Sequence, residues 1–340
     1  MKIGLIGCGS VVESMHLPVV VRVPNLRILW VCDKSSSRAA RVARDWAIPK
    51  ACSELDDCPA VDAVLIATPV GTRQEILKQT ILRGWHALCE KPFATSADLH
   101  REFLEQARRA GLILGAGYMR RYFWAVEKAR GILRSGMLGS LESITAGESA
   151  HLERTGLDYS SYRNDDRASG GGVLLETGCH LIDEMLFIAD AVEARIEQCK
   201  RRILAGYEME TCASGRVWLA SGGQADLRFT VSGVRSVFQG IVVRCQRGEL
   251  RLSLDPGKGL KLFLESNREA SLDLPHPKPA QHLHHILGAI REEWIHFIES
   301  AQGDCCWSAE HDTGLLASDV IQQCVTVASA QGIEVDACLA

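Results

Sequence analysis

The sequence lacks any apolar run as long as the about 18 residues that a membrane-spanning helix needs. It contains no Cys-x-x-Cys pair, and its 13 cysteines are an odd number at irregular spacing, which argues against a zinc ribbon and a disulfide scaffold. An excess of positive charge is also missing, because 38 Lys and Arg face 42 Asp and Glu. Nucleic acid and membrane are therefore not expected as partners. The sequence predicts a reduced, cytoplasmic protein that binds a small molecule.

The length of 340 residues exceeds what one hydrophobic core usually supports, so two domains are expected. In the first third, short apolar strands alternate with helical segments. The predicted strands are the start of MKIGLIGCGSVV, RILWVCD (27–33), AVDAVLIATP (60–69), HALCEKP (86–92) and LILGAGY (112–118). This alternation predicts an α/β fold, with a doubly wound parallel sheet of the Rossmann type as a dinucleotide-binding domain over residues 1–120.

Residues suited to a dinucleotide stand where these strands end, which is where doubly wound sheets bind ligands. Gly7 and Gly9 follow the first strand, and Asp33 ends the second, 24 residues after Gly9. Val12 replaces the third glycine of the fingerprint, and a glycine turn alone also fits other α/β proteins, but its place after the first strand favours a dinucleotide. The expected cofactor-binding residues are Gly7, Gly9, Ser10, Val11, Asp33, Lys34, Arg38, Thr68, Pro69, Glu90 and Lys91.

Asp33 bears on which dinucleotide binds. A carboxylate at this position accepts hydrogen bonds from ribose hydroxyls and repels a 2′-phosphate, which favours NAD. The neighbouring Lys34, Ser35, Ser36 and Arg38 are groups that gather around a phosphate, so NADP stays open as the alternative.

From about residue 139 the pattern changes to strict alternation. QADLRFTVS (224–232), ELRLSLD (249–255) and GLKLFLE (259–265) read as half-buried antiparallel strands, and helices are predicted over 282–301 and 312–330. The sequence thus predicts a second α/β domain over residues 121–340, with a large, mostly antiparallel open sheet. His276, His282, His284 and His285 lack the accompanying spacing of a metal site, so no metal is expected.

Between the two patterns, GGGVLLETGCHLID (170–183) predicts a buried helix with a polar stripe. At 3.6 residues per turn, Glu176, His180 and Asp183 share one face. Polar side chains on a buried helix call for a reason, such as a cleft where a substrate binds.

The order of several motifs resembles the Gfo/Idh/MocA family of nicotinamide-dependent oxidoreductases over nearly the whole chain. The matching stretches are IGLIGCGS with His16-Leu17-Pro18, ATP (67–69), CEKP (89–92), GYMRRY (117–122) and GGGVLLETGCHLID. The resemblance implies a Rossmann domain, a substrate-binding and oligomerisation domain whose sheet forms a homodimer or homotetramer interface, and a final helix that packs back toward the first domain.

By that resemblance, Lys91 is the active-site lysine, and Glu176 and His180 occupy the family's Asp-x-x-x-His pair. Two positions depart from the family pattern: Glu176 replaces aspartate, and Arg73 stands where many members carry histidine, so Arg73 is given no catalytic role. The expected substrate-binding residues are Tyr118, Arg121, Tyr162, Arg163 and His180.

The expected function is transfer of a hydride between NAD(P) and a secondary alcohol or ketone of a sugar, sugar nucleotide, inositol or similar polyol. His180 is expected to exchange the hydroxyl proton and Lys91 to stabilise charge on the reacting oxygen. Glu176 is expected either to fix the tautomer of the His180 imidazole or to favour its charged form. Each residue also has a plainer interpretation: His180 as a core histidine, Lys91 as a surface lysine, and Glu176 as a carboxylate that complements a helix dipole. Two other functions stay open: an enzyme that uses NAD transiently for elimination or epimerisation, and a non-catalytic NAD(P)-binding regulator.

Overall fold

The computed structural model describes residues 1–149, 172–204, 207–264, 267–278, 281–305, 307, 313–331 and 334–335. The chain forms two compact units: Met1–Met119 with Ile286–Ala309, and Arg120–His285 with Glu310–Ala340. Within the described ranges, no helix combines the length and apolarity needed to cross a membrane.

The first unit contains a six-stranded, wholly parallel sheet in the order β3-β2-β1-β4-β5-β6. Its strands are β1 (Lys2–Ile6), β2 (Arg27–Cys32), β3 (Lys50–Cys52), β4 (Ala63–Ile66), β5 (His86–Glu90) and β6 (Leu114–Gly117). Five of these strands were predicted from the sequence. The additional β3 has only 3 residues, which is too short to show an apolar period.

Helices in the first unit connect successive strands. They are α1 (Leu17–Val20), entered through a π-helical turn (Val12–His16), α2 (Ser36–Asp45), α3 (Arg73–Leu82) and α4 (Ala97–Arg109). Side chains from opposite faces of the sheet enter two separate hydrophobic clusters. Leu65 joins one together with Trp294 of the later helix α7 (His282–Gln302), whereas Val64 and Ile66 join the other. All four residues of β4 are buried, as expected for a parallel strand covered on both faces.

The second unit contains a nine-stranded sheet in the order β14-β13-β12-β11-β7-β10-β9-β8-β15. Its strands are β7 (Leu141–Ser149), β8 (Ala191–Leu204), β9 (Tyr207–Leu219), β10 (Gln224–Ser232), β11 (Gly240–Cys245), β12 (Gly248–Leu252), β13 (Leu260–Leu264), β14 (Asn267–Leu274) and β15 (Glu334–Val335). Neighbouring strands are antiparallel except for the pairs β7–β10 and β8–β15.

Alternation along β10 explains which face of this sheet is covered. Leu227 and Phe229 are buried, whereas Asp226 and Arg228, which alternate with them along the strand, are exposed. Among its described residues, this unit contains the helices α5 (Trp124–Arg134), α6 (Cys179–Ala189), entered through a π-helical turn (Leu174–Gly178), and α8 (Thr313–Gln331). Helix α6 packs against α8 and β7, and α8 packs against β8. The predicted fold class, a parallel doubly wound sheet plus a mostly antiparallel one, is confirmed.

Candidate active site

The glycine turn after β1 has the backbone conformation that a dinucleotide site requires. Gly7 has a φ of +97°, and a Cβ placed there would lie 2.5 Å from the carbonyl oxygen of Ala67. Only glycine fits both constraints. A Cβ on Gly9, by contrast, would meet nothing within 4 Å, so the backbone at Gly9 faces open space. The turn is therefore shaped for close approach of a ligand to the main chain.

Asp33 ties this turn to the end of β2. Its Oδ2 accepts a hydrogen bond from the amide of Cys8 at 2.8 Å, and its Oδ1 accepts one from the amide of Ser35 at 2.9 Å. The half-exposed Arg38 approaches the same carboxylate, with Nη1 at 3.4 Å from Oδ2. The carboxylate expected to bind ribose hydroxyls and the cation expected near a 2′-phosphate therefore lie side by side, while Lys34 is exposed.

The residues present fit a nicotinamide dinucleotide. Open space lies over Gly9, and the Asp33 carboxylate stands at the end of the neighbouring strand, where ribose hydroxyls need an acceptor. Thr68 follows β4, and its Oγ1 is buried without a hydrogen-bond partner in the described part of the chain. A buried hydroxyl of this kind is usually satisfied, so a ligand atom is a fitting partner.

The segment around Lys91 follows β5, and its peptide bond to Pro92 is cis. Glu90 shapes this segment with its carboxylate: Oε2 accepts from the amide of Lys91 at 3.1 Å, and Oε1 lies 2.8 Å from Nε2 of His16. Burial raises the pKa of Glu90, but the hydrogen bond from His16 and the charges of Lys91 and Arg73 outweigh it, so the pKa lies below its usual value. Glu90 is thus held as a carboxylate beside Lys91.

The tautomer of His16 is fixed by a residue from far along the chain. The indole Nε1 of Trp294 donates to Nδ1 of His16 at 3.0 Å, so Nδ1 carries no proton. The proton of the neutral ring lies on Nε2 and is donated to Glu90. Both aromatic side chains are buried, at 1% and 0% exposure, and the contact joins α7 to the turn before α1. Sequence reasoning did not identify this pair, because nothing local relates Trp294 to His16.

Arg73 begins α3 and is only 4% exposed. Its Nε and Nη2 donate to the carbonyl oxygen of Thr68 at 2.8 and 2.6 Å, and its Nη1 donates to the carbonyl oxygens of Glu90 and Pro92. The sequence interpretation gave this residue no role. The only signal in the sequence was its position, four residues after Pro69 of the ATP motif.

In the second unit, Glu176 and His180 lie at the start of α6, but not on a uniform α-helix. Glu176 belongs to the π-helical turn, whose hydrogen bonds span five residues rather than four, so the expected spacing of 3.6 residues per turn is wrong there. Its Oε2 accepts a hydrogen bond from the hydroxyl of Tyr207 at 3.1 Å. Glu208, the residue after Tyr207, is buried and accepts a hydrogen bond from the backbone of Leu174. This bond fixes the start of the π-helical turn. His180 is 7% exposed.

Further along α6, Asp183 and Glu184 take part in buried ion pairs. Arg121 donates to Asp183 from Nε at 2.8 Å and from Nη2 at 2.5 Å. Arg120 donates to Glu148 at 2.8 and 3.1 Å and to Glu184 at 3.2 Å. Burial raises the pKa of Glu184 to about 8, although Arg120 acts in the opposite direction. These pairs attach α6 to β7 and to the segment before α5.

The expected substrate-binding residues are placed unevenly. Tyr118 is 1% exposed and Arg121 binds Asp183, so a contact of either with substrate stays a prediction. Tyr162 and Arg163 lie outside the described residues. Lys91 belongs to the first unit, and Glu176 and His180 belong to the second. Among the described residues, no group of three or more His, Cys, Asp or Glu is arranged to hold a metal ion.

Several known proteins are similar to this chain. Rhizopine catabolism protein MocA of Rhizobium meliloti is 28% identical over 188 residues, which are 55% of this chain and 56% of that protein. D-glucoside 3-dehydrogenase of Escherichia coli (strain K12) is 26% identical over 194 residues, 55% of this chain and 54% of that enzyme. The chain therefore matches only about half the length of these relatives.

Similarity of fold extends over nearly the whole chain. Levoglucosan dehydrogenase, solved in complex with NADH and levoglucosan, superposes with a TM-score of 0.80 at 16% identity and covers 98% of both chains. At this identity the likeness shows the fold.

Two family models account for most of the sequence. One, described as "Oxidoreductase family, NAD-binding Rossmann fold", matches residues 1–118, and the other, described as "GFO/IDH/MocA C-terminal domain", matches residues 126–251. The expectation of an NAD-binding Rossmann domain is confirmed. Because models for both parts of the family's architecture match in order along one chain, this protein belongs to the Gfo/Idh/MocA family of oxidoreductases.

Proposed function

We propose that the protein transfers a hydride between the nicotinamide of NAD and a secondary alcohol or ketone carbon of a sugar or related polyol. One observation carries the proposal: the Asp33 carboxylate binds the Cys8 amide within the glycine turn, at the same edge of the parallel sheet where Lys91 follows β5. The strands β2, β1, β4 and β5 are neighbours in this sheet, so their carboxyl ends form one continuous edge. The residues along this edge would hold a bound dinucleotide.

The chain's own groups account for binding of the cofactor. The backbone at Gly9 would admit the pyrophosphate, the Asp33 carboxylate would accept hydrogen bonds from the ribose hydroxyls, and the Thr68 hydroxyl would supply a buried polar partner. When bound, NAD supplies the carbon that accepts or donates the hydride. The nearby Arg38 supports NADP as the second choice, since a guanidinium favours a 2′-phosphate.

Lys91 and His180 are the proposed catalytic residues. As hydride leaves the substrate carbon, the hydroxyl proton must leave the oxygen, and His180 is proposed to accept it; in reduction the imidazole returns the proton. The Lys91 ammonium is proposed to stabilise negative charge that develops on the same oxygen. Glu90, held as a carboxylate against the Lys91 amide, supports the position of that residue. Glu176 is proposed to orient the imidazole.

The substrate class rests on the relatives. One is named a D-glucoside 3-dehydrogenase, and a structure of the same fold is named levoglucosan dehydrogenase. Both names describe oxidation of a sugar derivative, which supports a hydroxylated substrate for this chain. Tyr118 and Arg121 are proposed to contribute to its recognition.

Two alternatives share the same fold. In one, NAD is reduced and reoxidised within a single turnover, so that elimination or epimerisation results. In the other, the protein binds NAD(P) as a regulator without chemistry. Net formation of NADH in proportion to substrate excludes both, whereas NAD binding without turnover of any polyol supports the regulator.

The experiment is a substrate panel. Sugars, sugar nucleotides, inositols and simple polyols are incubated with the protein and either NAD or NADP, and absorbance of the reduced nicotinamide is followed. We expect turnover with at least one sugar-type alcohol and with NAD ahead of NADP. Lys91→Ala serves as the matched control, because it removes the proposed stabilising charge beside the reacting oxygen.

Compartment and assembly are part of the same proposal. The 11 cysteines that the structure describes are all free thiols, which supports a reducing, cytoplasmic environment. The exposed face of the nine-stranded sheet, which includes Asp226 and Arg228, is the proposed surface for a homodimer or homotetramer. Light scattering of the purified chain measures that assembly directly.

A further inference from the structure

Arg73 is a buried cation whose hydrogen-bond partners are main-chain carbonyls. Its guanidinium donates to the carbonyl oxygens of Thr68, Glu90 and Pro92, and the side chain is 4% exposed. A buried charge is costly unless its donors are satisfied, and here several donors of the fork are used. The Glu90 carboxylate adds a countercharge, since Arg73 is one of the groups that lower the pKa of Glu90.

Stabilisation of α3 does not explain this arrangement. Arg73 is the first residue of the helix, and a cation near a helix amino terminus is opposed by the helix dipole. The side chain turns away from the helix to hydrogen-bond segments that follow β4 and end β5. The contacts therefore serve those segments rather than α3.

Two of the three carbonyls, those of Glu90 and Pro92, bracket the proposed catalytic lysine. Glu90 precedes Lys91 and Pro92 follows it, so one nitrogen of the guanidinium, Nη1, binds the backbone on both sides of Lys91. The other donors, Nε and Nη2, bind Thr68 in the segment after β4, where the cofactor is proposed to lie. A planar, rigid guanidinium thus fixes the Lys91 backbone relative to the cofactor segment.

The residue type matters for this geometry. A lysine ammonium is a point charge on a flexible stem, and an imidazolium has only two donors, so neither reproduces a fork directed at three carbonyls.

We propose that Arg73 is a positioning residue that sets the location of the Lys91 amine through the backbone carbonyls of Thr68, Glu90 and Pro92. This inference rests on the proposed function, because it assigns Lys91 to the reacting oxygen. Arg73 itself does not touch the substrate, and its effect is expressed through the placement of Lys91.

Steady-state kinetics give the first test. Misplacement of a catalytic group by about 1 Å costs on the order of a hundredfold in rate, so Arg73→Met is expected to lower kcat by about that factor and to leave the KM for NAD within about twofold. Millimolar methylguanidinium is expected to restore part of the kcat of Arg73→Met but none of that of Lys91→Ala. Arg73→Lys retains the charge without the fork and is expected to resemble Arg73→Met.

The matched control is Arg83→Met. Arg83 lies at the carboxyl end of the same helix and binds Asp56. Like Arg73→Met, this substitution replaces an arginine at one end of α3 with methionine and removes the contacts of its guanidinium. We expect its kcat to equal that of the unaltered protein. If Arg73→Met does not fold, Arg73→Lys carries the test, because it keeps the buried positive charge and most of the side-chain volume.

A second measurement needs no substrate. Acetylation of Lys91 by an amine-reactive ester is followed by mass spectrometry with and without NAD, and Lys128 of α5 serves as the reference amine. NAD is expected to protect Lys91 in the unaltered protein, and Arg73→Lys is expected to reduce that protection severalfold while Lys128 reacts at an unchanged rate. This readout separates positioning from catalysis.

The outcomes distinguish the two proposals. If Lys91→Ala abolishes turnover while Arg73→Met and Arg73→Lys keep both the kcat and the protection of Lys91, the inference about Arg73 is wrong and the proposed function stands. If Lys91→Ala retains full turnover, the proposed function is wrong at Lys91, and loss of NAD protection in Arg73→Lys still supports the positioning role. Equal loss of kcat in Arg83→Met contradicts a specific role for Arg73.

Discussion

The proposed cofactor edge in the first unit and the polar helix in the second unit are held together in different ways. At the cofactor edge, two charged side chains bind the main chain: Asp33 accepts from the Cys8 amide, and Arg73 donates to carbonyls. On α6, side chains bind one another: Arg121 pairs with Asp183, and Arg120 pairs with Glu184. Main-chain contacts fix the course of a loop, whereas side-chain pairs attach one element to another. We therefore propose that the first arrangement sets the geometry of the bound cofactor and that the second stabilises the helix that carries His180.

Loss of the proposed chemical groups is expected to have the largest effect. Lys91→Ala and His180→Ala are each predicted to lower kcat by at least about a hundredfold, as for lost electrostatic or acid/base catalysis. NAD affinity, measured by calorimetry, is expected to change little. Single-turnover hydride transfer at an unchanged rate in either variant removes that residue from the mechanism.

Asp33→Ala is expected to have the next largest effect, and on the cofactor rather than the chemistry. Without the carboxylate, the ribose hydroxyls lose their acceptor and the Cys8 amide loses its partner. The affinity for NAD is expected to fall by roughly tenfold, as for a lost charge-assisted hydrogen bond, and to fall more than the affinity for NADP. Calorimetric titration with both dinucleotides measures this, and a greater loss for NADP contradicts the assignment of Asp33 to the ribose.

The buried pair on α6 is expected to affect stability in a pH-dependent way. Burial raises the pKa of Glu184 from 4.5 to about 8, so the folded protein binds this proton more tightly than the unfolded chain does. The resulting stabilisation is fully present below about pH 4.5 and is lost as the pH rises through about 8. Chemical denaturation gives the free energy of unfolding at pH 5.5 and at pH 8.5. We expect the difference between these two values to be smaller in Glu184→Gln than in the unaltered protein. If this difference is as large in Glu184→Gln as in the unaltered protein, the pH dependence of stability does not come from Glu184.

The smallest expected effect is that of Tyr207→Phe. The substitution removes the hydroxyl that donates to Glu176 and keeps the ring. The free energy of unfolding is expected to fall by about 1 kcal/mol, the usual net contribution of one hydrogen bond, with kcat changed by less than about threefold. A loss of kcat of about a hundredfold instead assigns Glu176 a direct part in proton transfer.

Much of the fold follows from the sequence because its signals are local. The alternation of QADLRFTVS predicted β10 over its full observed range, Gln224–Ser232, since its apolar side chains are buried and Asp226 and Arg228 between them are exposed. The glycine turn and Asp33 were equally predictable, because both follow strands whose ends must meet at one edge of the sheet.

The remaining features depend on contacts that local sequence does not encode. The π-helical turn at Glu176 changes a spacing that periodicity alone treats as uniform. Trp294 fixes the tautomer of His16 from a helix late in the chain. In each case a tertiary partner determines the outcome.

The most direct test of the central claim is the fate of the hydride. A substrate found in the panel is prepared with deuterium on the reacting carbon and incubated with the protein and NAD, and the mass of the reduced cofactor is measured. We predict that the NADH formed carries deuterium taken from the substrate. Oxidised substrate accompanied by unlabelled NADH, or by no NADH, would contradict hydride transfer from a secondary alcohol to nicotinamide as the reaction of this protein.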